Sequence, residues 1–191
     1  MNFKEDIFEY FEELKATIDK LNPDEINTVI NKLIEVKDRG GMIYIFGNGG
    51  SASTASHFVN DFNKGVSEHL DKRFKFICLN DNVSTVLAVA NDISYDEVFR
   101  FQLVNYLEER DIVIGISGSG NSKNIVNAIE YAKSRGVETI SLVGYNGGRL
   151  KEISDYAIHV PINDMQKVED LHMMLDHLMM KILMSNLKGG K

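Results

Sequence analysis

Five short apolar runs, each separated from the next by a stretch of helical periodicity, constrain this chain most. They are MIYIF (42–46), FKFICL (74–79), IVIGIS (112–117), ETISLVG (138–144) and YAIHVP (156–161). A strand with one wet face alternates apolar and polar residues, whereas continuous runs like these belong to strands covered on both sides. The intervening segments are predicted helices: from the first glycine-rich loop through Phe62, Val83–Ala90, Asp96–Glu109, residues 122–135 ending at Gly136, and a short one over GGRLKEIS. A long last helix is predicted over 165–187. Strands alternating with helices predict an α/β fold with a five-stranded parallel sheet. Right-handed crossovers put helices on both of its faces.

Two more helices precede the sheet. Phe3, Ile7, Phe8, Phe11, Leu14 and Ile18 keep helical spacing. Asn22-Pro23-Asp24-Glu25 then starts a second helix, with Asn as N-cap, Pro at the first helical position and acids in the first turn. That helix carries Ile26, Val29, Ile30, Leu33, Ile34 and Val36 and stops at Gly40-Gly41. No linker, repeat or low-complexity tract interrupts the 191 residues, and Pro23 and Pro161, the only prolines, sit at element boundaries. The expectation is one domain over 1–191, with a helical pair (1–40) ahead of an α/β core (41–191) that includes the last helix.

In parallel sheets ligands bind beyond the carboxyl ends of the strands. Two loops leave strands at that end: GNGGSAS after the first and SGSGNS after the third. Glycines let backbone approach a ligand, and each following helix offers unpaired N–H groups. Ser117, Ser119 and Ser122 add hydroxyl donors without bulk and are placed to surround a phosphate. Neither loop is GxxxxGK[ST], and neither is GxGxxG with a downstream acid, so nucleotide chemistry is not indicated.

His57 and Asp61 follow the first loop at i, i+4, on one helical face. Such a pair can be an ion pair, an acid–base couple or half of a divalent metal site. His69, in EHLDKR, reads as a solvated residue, and His159, in a strand beside Pro161, as structural. The last helix carries an apolar stripe of Val168, Leu171, Leu175, Leu178 and Ile182. Its other side holds Glu169, His172, Met173, Asp176, His177, Met180 and Met184. Burial on both faces, against the sheet and against another subunit, would desolvate those acids and histidines.

Composition removes several classes. The formal net charge is −7, and a nucleic-acid binder needs a basic footprint. The one cysteine, Cys78, lies in a strand run and reads as a buried small hydrophobe. No run approaches the ~18 apolar residues of a membrane span, and the acidic amphipathic start is unlike a signal peptide. A cytoplasmic location is expected.

GNGGSAS and GISGSGNS, each between a strand and a helix, resemble the sugar isomerase (SIS) domain, which binds phosphosugars. With HFVND after the first loop, VANDISYDEVF in the middle and VEDLHMMLDH in the last helix, the chain resembles the phosphoheptose isomerase family over nearly its whole length. The resemblance implies a flavodoxin-like three-layer fold. It also implies isomerisation of sedoheptulose 7-phosphate to a glycero-manno-heptose 7-phosphate, zinc at one ion per subunit, and a homotetramer with shared sites. Phosphate and sugar would be held by Asn48, Gly49, Gly50, Ser51, Ser117, Gly118, Ser119 and Ser122, with Asn91 and Asp92 orienting hydroxyls. The family's metal and catalytic positions fall on His57, Asp61, Glu169 and His177. Asp61 stands where the family has glutamate, and Glu169 where it has glutamine. Asp61 or Glu169 would be the base, Glu169 would also touch substrate, and His177 would move the other proton. Glu169 and His177 are eight residues apart, a rise of ~12 Å, so both reach one ion only by leaning toward it, or if neighbouring chains contribute. Some relatives of this fold sense sugar phosphates and one is an adaptor for a replication initiator, so the alternatives are a non-catalytic module of that kind or an isomerase of a different phosphosugar.

Overall fold

The structure, a computed structural model, describes residues 1–187; the end of the expected domain, 188–191, lies outside the described residues. Helices α1 (Lys4–Ile18) and α2 (Pro23–Arg39) come first. Asn22 caps α2 as its position predicts, its Oδ1 accepting the Asp24 N–H at 2.9 Å. Gly40 ends the helix in the left-handed region at φ 75°, where a residue without Cβ is unstrained.

The strands are β1 (Ile43–Gly47), β2 (Phe76–Cys78), β3 (Ile112–Ser117), β4 (Glu138–Val143) and β5 (Tyr156–His159). All pair in parallel in the order β2-β1-β3-β4-β5. The winding reverses between β1 and β3, which pair from Ile43–Ile112 to Gly47–Ile116. That reversal opens a crevice beyond their carboxyl ends. Strand β2 is shorter than its apolar run because it is an edge: the Asn63 side chain donates to the Phe76 carbonyl at 2.9 Å and accepts its N–H at 2.8 Å.

Side chains alternate across the sheet. Ile43, Ile45, Ile112 and Ile114 face α2, α3 (Gly50–Asn60) and α8 (Met165–Asn186), whereas Tyr44, Phe46 and Val113 face the opposite layer. That layer is α4 (Val83–Asp92), α5 (Arg100–Tyr106), α6 (Lys123–Ser134) and α7 (Gly148–Ile153). It is a three-layer α/β architecture.

Three expectations need correction. The helix predicted over Asp96–Glu109 is a 3-10 turn at Tyr95–Glu97 followed by the shorter α5; the break aims buried Val98 and Phe99 at the sheet. Helix α3 stops at Asn60 and continues as a π-helical turn, Asp61–Val66. The stripe on α8 turns away from the predicted one. Leu178 is 39% exposed and Ile182 only half-buried, while Met179 and Leu183 are buried in their place. Packing follows the i, i+4 row from Leu171 through Leu175, a ridge that fits grooves in the facing layer. His172 and Asp176, on the neighbouring row, are thereby buried within this subunit.

Helix α1 keeps its periodicity but not its burial. Phe3, Ile7, Phe8 and Phe11 are all more than half exposed, and Thr17 is its one buried residue. It is tethered to α8 by the Tyr10 hydroxyl, which donates to Asp170, and by Glu13 against Lys167.

Candidate active site

The loops after β1 and β3 meet at the switch point around a cavity of about 240 Å³. Asn48, Gly49, Gly50, Ser51, Ser117, Gly118, Ser119 and Ser122 all line it, joined by Met165 and Glu169 from the first turns of α8. The N-termini of α3 and α6 open onto it, so its field favours an anion. The Ser117 hydroxyl lies 3.1 Å from that of Ser122 and 3.5 Å from that of Ser119, so three hydroxyls form one cluster. The Glu169 carboxylate occupies the space that a Cβ on Gly50 would take, so the glycine lets it lie against the start of α3. A wider hollow of about 370 Å³ lies beside α2, but Asp24, Glu25 and Asp155 line it against a single Lys151, the wrong charge for a phosphate.

Asn48 is held by two residues the sequence reading missed. Its side-chain amide pairs reciprocally with that of Asn124, both bonds 2.9 Å, and the Tyr95 hydroxyl donates to its Oδ1 at 2.9 Å. Asn124 lies two residues past the SGSGNS loop, and Tyr95 lies in the VANDISYDEVF segment already singled out. Asn91 and Asp92, from that segment, are exposed and bond to each other at 2.8 Å; they do not line the cavity.

Helices α3 and α8 run side by side. Gly50 lies against Glu169 at one level; seven residues along each helix, roughly 10 Å further on, His57 meets Asp176 and His177. The His57 Nε2 stands 3.1 Å from His177 Nε2, 3.5 Å from Asp61 Oδ2 and 4.0 Å from Asp176 Oδ2. His177 Nε2 is 3.9 Å from Asp61 Oδ2. One ligand atom from each of the four lies within 4.8 Å of the others. Bond lengths of 2.0–2.2 Å imply edges of roughly 3.3–3.6 Å in a tetrahedral site, so these spacings suit one small cation.

The carboxylate of Asp176 is fully buried, and neither oxygen has a hydrogen-bond partner. Burial, then the neighbouring charge of Asp61, pushes it up to about 8. One turn back, buried His172 also lacks partners, and burial pushes it down to about 4. A cation would satisfy the orphaned oxygens of Asp176, so the group can hold a metal ion. Glu169 does not join it. The structure brings three of the four expected ligand positions together, His57, Asp61 and His177, and places Asp176 beside them.

The remaining titratable residues fall elsewhere. His69 is exposed, and His159 is engaged by Lys151 at Nδ1 and the Tyr145 carbonyl at Nε2. Burial pushes the Cys78 thiol up to about 12, which leaves it unreactive.

The SIS domain family model matches residues 8–144. A phosphoheptose isomerase of Helicobacter pylori strain P12 is 39% identical over 168 residues, 88% of this chain and 86% of the relative. The chain belongs to the phosphoheptose isomerase family. A second phosphoheptose isomerase, from Thermodesulfovibrio yellowstonii, is 36% identical over 188 residues, 96% of this chain and 92% of its own length. The solved phosphoheptose isomerase of Neisseria gonorrhoeae matches with a TM-score of 0.88 at 26% identity, over 96% of this chain and 100% of that one. The likeness to phosphoheptose isomerases therefore takes in the α1–α2 pair as well as the sheet.

Proposed function

We propose that this chain is an aldose–ketose isomerase that converts sedoheptulose 7-phosphate to glycero-manno-heptose 7-phosphate in the cytoplasm, for heptose-containing surface polysaccharide. The observation that carries the chemistry is the cavity in which two Ser/Gly loops, two helix N-termini and one carboxylate, Glu169, converge. Hydroxyls of Ser51, Ser117, Ser119 and Ser122, with the loop N–H groups, bind the phosphate. Asn48 is held rigid by Asn124 and Tyr95 and offers a fixed amide to the sugar.

Isomerisation moves a proton between adjacent carbons through an enediol, and one carboxylate on one face can serve both carbons. Of the two candidate bases, Glu169 lines the cavity, whereas Asp61 is buried in the His57 group. Glu169 is therefore the base. The imidazole of His177 is more exposed than that of His57 and is the one that meets the sugar oxygens. Zinc held by His57, Asp61 and His177 would polarise those oxygens. A seven-carbon phosphosugar carries phosphate and carbonyl at opposite ends of its chain, in keeping with a site spread over two levels.

The chain works as one domain within a homotetramer. The exposed apolar side chains of α1, and Leu87, Val104 and Tyr106 on the opposite layer, are surface that an assembly covers. Assembly also offers Asn91 and Asp92, outside the cavity here, to a neighbouring site. Among the described residues no helix is long and apolar enough to cross a membrane.

The test is purified protein incubated with sedoheptulose 7-phosphate, with and without zinc, and product read by NMR. Formation of the aldose, lost in Ser119→Ala, is expected. Binding without turnover in either condition would identify a sugar-phosphate sensor and overturn the proposal.

A further inference from the structure

We propose that Asp176 is the fourth protein ligand of a divalent metal ion held by His57, Asp61 and His177, and that Glu169 is not a ligand. This rests on the reading that the His57 group takes a metal.

Three observations converge on Asp176. Its side chain is fully buried, yet neither oxygen has a hydrogen-bond donor. The nearest side-chain nitrogen recorded for it among the described residues is His57 Nε2, at 4.0 Å, too far for a hydrogen bond. A carboxylate taken out of water without donors is costly, and a cation bound among the four atoms removes that cost. Asp176 Oδ2 also stands at about the spacing from His57 Nε2 that Asp61 shows from His177, 4.0 against 3.9 Å, so it completes the set rather than lying behind it.

Glu169 fails on both counts. Its carboxylate packs on bare Gly50, one level away, where it lines the phosphosugar cavity. Asp176 and His177 are adjacent and need no such reach. Two imidazoles and two carboxylates form a donor set that zinc accepts, and the carboxylates balance the charge of a divalent ion. The consequence is a division of labour: Asp176 takes the ligand position, which leaves Glu169 free to act on substrate.

The test uses full-length protein stripped with a chelator and titrated with zinc by competition against a chromophoric chelator. Cobalt serves as a spectroscopic probe. Wild type should bind one ion per chain, lost in His57→Ala. Asp176→Asn should weaken zinc binding on the order of tenfold or more and alter the visible cobalt spectrum. Glu169→Gln should keep wild-type affinity and spectrum. Wild-type affinity in Asp176→Asn, or a loss in Glu169→Gln that matches His57→Ala, overturns the assignment.

Should Asp176→Asn not fold, a zinc-bound structure of wild type decides the matter. An Asp176 oxygen at roughly 2.0–2.2 Å from the ion supports the proposal, and one beyond hydrogen-bond distance overturns it. If wild type binds no ion in a His57-dependent manner, the metal reading fails together with Asp176. The isomerase reading stands or falls separately, on whether sedoheptulose 7-phosphate is turned over in either condition, with zinc or without it.

Discussion

At Gly50, α3 and α8 meet through bare backbone and one carboxylate; seven residues on, at His57, α3 and the π-helical turn that continues it meet α8 through four titratable side chains. At the first level polar groups satisfy one another: the serines are clustered and Asn48 is bonded on both sides. That level is complete and open, ready for an anion. At the second level a buried carboxylate has no donor, so the arrangement is whole only with a cation. Two parallel helices of matching pitch thus carry opposite electrostatic demands about 10 Å apart.

The largest expected effect separates the two levels by chemistry. Glu169→Gln should lower kcat by about 10²–10⁴-fold, as removal of a general base does, with the circular-dichroism spectrum and thermal midpoint retained. A loss under tenfold would move the base from the cavity to Asp61 and reverse the comparison.

Next comes the backbone character of the first level. Gly120 has φ +67°, and a Cβ there would overlap the Gly147 carbonyl. Gly120→Ala should therefore destabilise the protein by about 3 kcal/mol, read as a lower urea midpoint. A change below about 1 kcal/mol would show that the loop yields and is not a rigid cradle.

The smallest effect concerns the second level in metal-free protein. The folded-state value of Asp176 lies far above its unfolded one, at about 8 against 3.8. His172 goes the other way, to about 4 from 6.5. Between pH 4 and 6.5 the two oppose each other: as pH rises the folded state holds a proton on Asp176 that the unfolded state has lost, while the unfolded state holds one on His172. Between pH 6.5 and 8 only the Asp176 contribution remains. There the folded state binds the extra proton, so stability falls as pH rises, by about 2 kcal/mol in total. Urea midpoints at pH 6.5 and 8 with chelator present should show the fall in wild type and not in Asp176→Asn. A flat wild-type profile would mean that Asp176 finds a donor in solution.

Much of this was legible in the sequence because it depends on local patterns. Asn22 and Gly40 bound α2 through side-chain and backbone chemistry within a few residues. The run IVIGIS is β3 to the residue, since a doubly covered strand has to be apolar throughout. The Ser/Gly loops line the cavity because parallel topology sends both to one sheet edge. Helix α8 was less legible. Both Leu178 and Met179 extend an apolar stripe, and the facing layer selected Met179. The same choice of row turned Asp176 into the core, and no spacing rule on a single helix reports that.

From the sequence alone came the strand and helix order, the two phosphate-type loops, and the placing of His57, Asp61 and His177 on helices beside them. Those are consequences of side-chain period and backbone permissiveness, which act over a few residues. The level at which each acid works was decided only by the tertiary structure. Glu169 and Asp176 differ by two helical turns, and the packing of α3 against α8 sets one on Gly50 and the other, unpartnered, against His57. A carboxylate's role follows from what surrounds it after burial, and that neighbourhood is assembled from residues more than a hundred positions apart.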